Sequence, residues 1–190
     1  GLGNSMALVE PLAADHDATS PTGLRITLVE SPDVPSIGVG EGTWPTLRDT
    51  LRRIGVSESA FVRECDAAFK QGSKFLRWSE DRDDDHYHHP FVLPQGYLES
   101  DLVGAGQQAG HPAFAPLVCV QPHLCDAGRG PKQFGTPEFA AVANYAYHMD
   151  AVKLGHFLRA HAVERLGVRH VLDHVDAVQG HENGDIAGVR

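Results

Sequence analysis

The stretch Ile37-Gly38-Val39-Gly40-Glu41-Gly42-Thr43-Trp44-Pro45 constrains this chain more than any other. Three glycines at alternate positions leave a backbone that few side chains obstruct. Such a loop can lie flat against a large planar ligand and offer its N–H groups to an anion. Ile37 and Trp44 flank it, and Leu47, Leu51 and Ile54 follow at helical spacing, closed by Gly55. A loop framed in this way reads as a cofactor strap, with Gly38, Val39, Gly40, Glu41, Gly42, Thr43 and Pro45 as candidate cofactor contacts.

Lys70 is the second feature. It is the only basic residue between Arg63 and Lys74, and it follows the small and apolar run Ala67-Ala68-Phe69. One reading is a structural lysine at a helix end, near the negative end of the helix dipole. The other is a functional amine, partly buried, that donates a hydrogen bond to a small polar intermediate.

Composition narrows the classes. The 190 residues suffice for one domain or one and a half, and 42% hydrophobic content supports a packed core. A formal net charge of -9 argues against a nucleic-acid partner. No run of apolar residues is long enough for a membrane span, and no signal peptide is visible, so the expected compartment is the cytoplasm. Cys65, Cys119 and Cys125 form no CxxC pair and read as free thiols in a reducing compartment. There is no G-x-S-x-G and no Walker motif. His86-Tyr87-His88-His89 follows three aspartates, but neighbouring ligands in a polar loop do not converge, so a solvated loop is expected there and no metal.

Along the chain, residues 25–30 read as a buried strand ending in Glu30, preceded by a helix over 7–15 and a loop over 15–23. Gly1-Leu2-Gly3-Asn4-Ser5-Met6 is a degenerate G-x-G-x-x-G. Gly1 and Gly3 would let the backbone approach a pyrophosphate, and Glu30 would accept ribose hydroxyls. The pattern is the second half of a dinucleotide-binding βαβ unit, whose first strand would lie before residue 1. Ser57 caps an expected helix running through Lys70, with Phe61, Cys65 and Phe69 on one face. A strand is expected over 75–78, an exposed loop over 79–89, and irregular structure with short elements over 90–135. Thr136-Pro137-Glu138 reads as a helix start. Asp150 can cap a helix reaching Leu166, with Leu154, Phe157, Leu158 and Ala162 on its stripe and Gly167 at its end. Strands follow at 168–172 and 175–179, then an Asn183-Gly184 hairpin turn and a strand at 186–189.

These residues resemble the flavin-dependent tryptophan halogenases. Ile26-Thr27-Leu28-Val29-Glu30-Ser31-Pro32, the strap through Pro45, and Cys65-Asp66-Ala67-Ala68-Phe69-Lys70 with Lys74-Phe75-Leu76-Arg77-Trp78 are similar to that family's segments, as is Tyr147-His148-Met149-Asp150-Ala151. The resemblance implies an α/β, FAD-binding Rossmann-like fold of the glutathione-reductase or flavin-monooxygenase type, with an inserted helical and irregular region on the substrate side. Residues 1–78 would then carry the strap and a catalytic-lysine helix, 79–147 the insertion, and 148–190 the return into the FAD domain. It implies reduced FAD supplied transiently by a separate flavin reductase, O2, and a halide ion converted to hypohalous acid. A small electron-rich aromatic such as tryptophan or indole would receive the halogen. Lys70 matches the catalytic lysine that hydrogen-bonds the hypohalous acid or forms a haloamine. Homodimer formation is left open. Met6 stands where the family has a third glycine, and Ala7 where a Trp is usual. The family's W-x-W-x-I-P motif, the glutamate that works with the lysine and a later flavin-binding segment are not in these residues. The expectation is therefore that the 190 residues alone are inactive and poorly soluble. The alternatives are a non-catalytic flavin- or nucleotide-binding fragment, and a flavin-dependent aromatic monooxygenase.

Overall fold

The computed structural model describes residues 11–17, 19–34, 40–110 and 113–190. Four of the candidate cofactor contacts, Gly1, Gly3, Gly38 and Val39, lie outside the described residues. Helix α1 covers residues 11–14. The chain continues as β1 (Thr27–Glu30), β2 (Gly40–Gly42), α2 (Leu47–Arg53), α3 (Glu58–Glu64), β3 (Ala68–Lys70), β4 (Gly72–Leu76) and β5 (His86–Pro90). Then come α4 (Leu102–Gln108), α5 (Phe114–Val118), α6 (Gln121–Asp126), β6 (Ala146–Asp150), α7 (Ala151–Leu166), β7 (Arg169–Leu172), β8 (Val178–Gly180) and β9 (Ile186–Val189). Two compact units result. One draws on Gly1–Glu41, Thr50–Asp66 and Met149–Arg190, the other on Gly42–Asp49 and Ala67–His148. No helix among the described residues is long and apolar enough to cross a membrane.

In the first unit β1 and β7 pair in parallel, Thr27 with Arg169 through Glu30 with Leu172. The expected buried strand is only half-buried here, exposed at Thr27. Helix α7 forms for local reasons. Asp150 Oδ1 accepts from the backbone N–H of Val152 and of Lys153, both at 2.9 Å, satisfying two donors that a helix start leaves orphaned. Leu154, Leu158 and Ala162 recur at helical spacing and are buried. Each leucine contributes about 1.5–3 kcal/mol by leaving water. Gly167, at φ 68°, ends the helix in the left-handed conformation that a Cβ disfavours. Helix α3 packs against it, with the rings of Phe61 and Phe157 6.5 Å apart.

Helix α3 stops well before Lys70. Ser57 caps it as expected, its hydroxyl accepting from Ala60 N–H, but Cys65 is its C-cap. Asp66 then adopts φ 49°, a left-handed turn that aspartate tolerates better than most residues. Its carboxylate pairs with Lys153. The chain leaves this turn extended, so Lys70 lies on strand β3 and not on a catalytic-lysine helix. Phe69, expected beside Phe61 and Cys65 on a helix face, is on that strand too.

In the second unit β4 and β5 pair antiparallel, with Ser73 opposite His89 and Lys74 opposite His88. The end of the expected 79–89 loop is thus a strand. Its alternation was hidden by the polar residues around it, and it is fixed by Phe75 stacking on Tyr87 at 4.8 Å across the pair. The strand expected over 75–78 starts earlier and ends at Leu76, because Arg77 turns at φ 52°. Thr136-Pro137-Glu138 starts no helix. Thr136 Oγ1 accepts from Gln133 N–H at 3.0 Å in a turn, and Phe139 at φ 61° breaks the following backbone. Short helices α4, α5 and α6 occupy the region expected to be irregular with short elements. Strand β6 is flanked by β3 and β2.

Candidate functional site

The site is built in the second unit around Lys70. Strands β3 and β6 run antiparallel, with Lys70 opposite Ala146 and Ala68 opposite His148. Lys70 and His148 are therefore diagonal neighbours on one sheet face, within reach of long side chains. On the other side of β6, Thr43 fastens the end of the strap. Its N–H donates to Tyr147 O at 2.9 Å, and its hydroxyl accepts from Tyr147 N–H at 3.1 Å. Gly42 precedes it. A Cβ at Gly42 would stand 3.0 Å from the His148 ring and 3.3 Å from Lys70 Nζ, so glycine lets both side chains close over the strap.

The Lys70 ammonium sits over two aromatic faces, 5.5 Å from the ring centroid of Trp44 and 5.5 Å from that of Phe91. These rings are 5.7 Å apart, and His89 meets Trp44 edge-on at 6.4 Å. The ring quadrupoles attract the cation. Trp44 is 61% exposed. Partial burial, and then the charge of Lys70, hold the His148 imidazole below its ordinary basicity.

Phe91 is held from both sides of its backbone. Its N–H donates to Gln121 Oε1 at 2.5 Å, and its C=O accepts from Asn144 Nδ2 at 2.9 Å. Gln121 also accepts from Val92 N–H at 2.9 Å and donates to Asn144 O. Asn144 Oδ1 accepts from Arg48, whose guanidinium lies 4.4 Å over the fully buried Tyr145 ring. The cage is thus carried on a buried polar network.

A cavity of about 260 Å³ adjoins Lys70, lined also by Gln71, His88, Gln121, Cys125 and His148. Gln71 Nε2 donates to Arg129 O at 2.8 Å, while Gln71 Oε1 and His88 Nε2 are buried without a partner among the described residues. Burial and the Lys74 charge keep the His88 ring less basic than usual.

The other candidate residues fall elsewhere. Glu30 ends β1 in the first unit, where its Oε2 accepts from His170 Nε2 at 2.9 Å and from Arg159 at 3.4 Å. Gly40 and Glu41 are exposed on β2 and belong to that unit. Pro45 opens the turn into α2, its C=O accepting from Arg48 N–H at 3.2 Å. The structure brings together Gly42, Thr43 and Lys70. Sequence reasoning missed Phe91 and Gln121, set aside the stretches holding His89 (as a solvated loop) and His148 (as a helix cap with packed aromatics), and took Trp44 only as a flank. The period-two alternation within His86–Pro90 was a signal that could have placed His89 on a strand.

The family description "Tryptophan halogenase" matches residues 10–190. The chain belongs to the tryptophan halogenase family. It is 36% identical over 184 residues to tryptophan 7-halogenase RebH of Lentzea aerocolonigenes, covering 87% of this chain and 34% of that relative. It is 30% identical over 189 residues to tryptophan 6-halogenase ThaL of Streptomyces albogriseolus, covering 88% of this chain and 34% of that protein. The solved tryptophan halogenase of Shewanella frigidimarina NCIMB 400 superposes with a TM-score of 0.88 at 42% identity, over 97% of this chain and 37% of that one. The tryptophan 6-halogenase SttH of Streptomyces toxytricini superposes at 0.80 and 29% identity, over 100% of this chain and 36% of that one. The fold class is accordingly the α/β, FAD-binding Rossmann-like class of these halogenases. The chain spans about a third of the length of the curated relatives it matches.

Proposed function

We propose that this chain is the strap- and lysine-bearing part of a flavin-dependent halogenase acting on an electron-rich aromatic such as tryptophan or indole. The observation that carries the reading is Lys70 Nζ held over Trp44 and Phe91 beside the glycine strap. An amine so placed can donate a hydrogen bond to hypohalous acid or capture its halogen.

Two features fit FAD as the group held. Among the described residues both partners of Glu30 bond Oε2, which leaves Oε1 to accept a ribose hydroxyl at the strand end where dinucleotide-binding folds place an acid. Among the described residues a Cβ at Gly40 would have nothing closer than Met149 O at 4.0 Å, which leaves that position room for a flat ring. When bound in reduced form, FAD supplies with O2 the oxidising power that turns chloride or bromide into hypohalous acid. The cofactor would arrive from a separate flavin reductase. Gly1, Gly3, Gly38, Val39 and Glu41 remain the proposed further contacts, and Gly42, Thr43 and Pro45 those next to the lysine.

Titration of the purified chain with FAD, followed by flavin fluorescence, tests the cofactor assignment. Saturable stoichiometric quenching is expected, weakened by Glu30→Ala. Absence of binding by both this chain and the longer protein would overturn it. A second test addresses the strap. In Gly42→Ala the nearest atoms the new methyl meets among the described residues are those of the His148 ring and Lys70 Nζ, side-chain atoms and not backbone, so the thermal midpoint of the chain should move little. The His148 ring and Lys70 Nζ must each give way slightly, and turnover of the full-length protein should fall, since even a displacement on the order of 1 Å lowers rates by about 10²-fold. Full activity in that variant would show that the lysine position is not critical.

A further inference from the structure

The function proposed above uses Lys70 but assigns nothing to His148, whose ring shares the same small space. Lys70 and His148 are diagonal on the β3–β6 pair, and both come within van der Waals range of the point where a Gly42 side chain would begin. The two groups therefore meet over Gly42, and glycine at 42 is what permits it. Among the described residues the His148 ring has no hydrogen-bond partner, and Lys70 is the charged group that acts on it. Gly42 on β2 brings none.

We propose that His148 is the positioning residue of the Lys70 amine: as a neutral imidazole it leaves a single positive charge in the Trp44–Phe91 cage, and on taking a proton it drives Nζ off the rings. The inference rests on reading Lys70 as the functional amine. Its physical basis is Coulombic. Two cations on diagonal positions of one sheet face repel, and the softer way to relieve this is rotation of the long lysine side chain toward solvent. With a neutral ring the ammonium keeps its place over the quadrupoles. Because partial burial and Lys70 both disfavour the imidazolium, the folded chain binds this proton less readily than the unfolded one. Stability linked to His148 is thus fully present above the ordinary imidazole value of 6.5 and declines as pH falls below it. The low basicity of His88 acts with the same sign, so the proposal must be read at individual resonances.

The test is a pH titration of the isotope-labelled chain, following the Lys70 side-chain methylene signals and the His148 ring by NMR. Above the His148 transition the Lys70 signals are expected upfield, shifted by the two aromatic rings. They should return toward solvent values with the same midpoint as His148 protonation, and that step should be absent in His148→Gln. The His148 midpoint should rise in Lys70→Met and stay low in Lys70→Arg. Lys70 signals that stay flat through the His148 transition would overturn the proposal, as would an unchanged His148 midpoint in Lys70→Met. If Lys70→Met does not fold, the presence or loss of the step in wild type and His148→Gln decides alone. None of these readouts needs turnover. A protein that fails to halogenate would leave the coupling intact, and a missing coupling would leave the role of Lys70 untouched.

Discussion

Lys70→Met abolishes halide-dependent product formation in the full-length protein while FAD binding is retained. The substitution keeps the length and apolar stem of the side chain, and what is lost is the cationic tip that lies over Trp44 and Phe91. What disappears is the amine that can donate to, or be halogenated by, hypohalous acid. Loss of such a positioned group lowers rates by about 10²–10⁴-fold. Lys70→Arg is expected to fail as well, because a guanidinium is always charged and cannot serve as a nucleophilic amine. Product analysis by mass spectrometry, with reductase, aromatic substrate and chloride or bromide supplied, reads the outcome. Oxygenated product formed at the wild-type rate in Lys70→Met would identify a hydroxylating monooxygenase, since that chemistry needs no amine relay.

Gln121→Leu destabilises the isolated chain by roughly 3 kcal/mol or more, since each orphaned buried polar group costs about 1–3 kcal/mol. Gln121 is 1% exposed and serves three backbone groups: the N–H of Phe91, the N–H of Val92 and the C=O of Asn144. Leucine matches the volume and satisfies none of them. Against a total stability of about 5–15 kcal/mol for a domain, the loss is large. Gln121→Glu keeps the acceptor and loses the donor, so its destabilisation should be intermediate in form, with the carboxylate facing the Asn144 carbonyl. The shift in urea midpoint at constant slope measures both. A change below about 1 kcal/mol in Gln121→Leu would mean that water replaces the side chain in the network. The functional corollary is that a loosened Phe91 lowers turnover before it lowers folding yield.

Features encoded within a few residues were legible in the sequence. Asp150 and Gly167 mark both ends of α7, Ser57 marks the start of α3, and Asn183-Gly184 marks the β8–β9 hairpin. Lys70 was singled out for its isolation among small and apolar neighbours, yet its setting was misread. A helix stripe through Phe61, Cys65 and Phe69 satisfies the same spacing, and nothing local announces that Asp66 turns left-handed. What ends the helix and begins the strand is pairing with β6, some eighty residues away along the chain. The cage was illegible for the same reason. Trp44, Lys70, Phe91 and His148 converge only once three strand pairings and the Gln121–Asn144 network exist. Thr136-Pro137-Glu138 shows the opposite failure, a good local helix signal defeated by a turn its own hydroxyl closes.

The parallel pairing of β1 with β7 has a consequence for biosynthesis. Thr27 leaves the ribosome long before its partner Arg169 is made, whereas β3 to β6 and everything between them form one uninterrupted stretch. The lysine-bearing unit can therefore close during translation, and β1 must wait with an unpaired edge until nearly all of these residues have emerged. Chaperone demand during synthesis falls on β1, the strand that ends in Glu30.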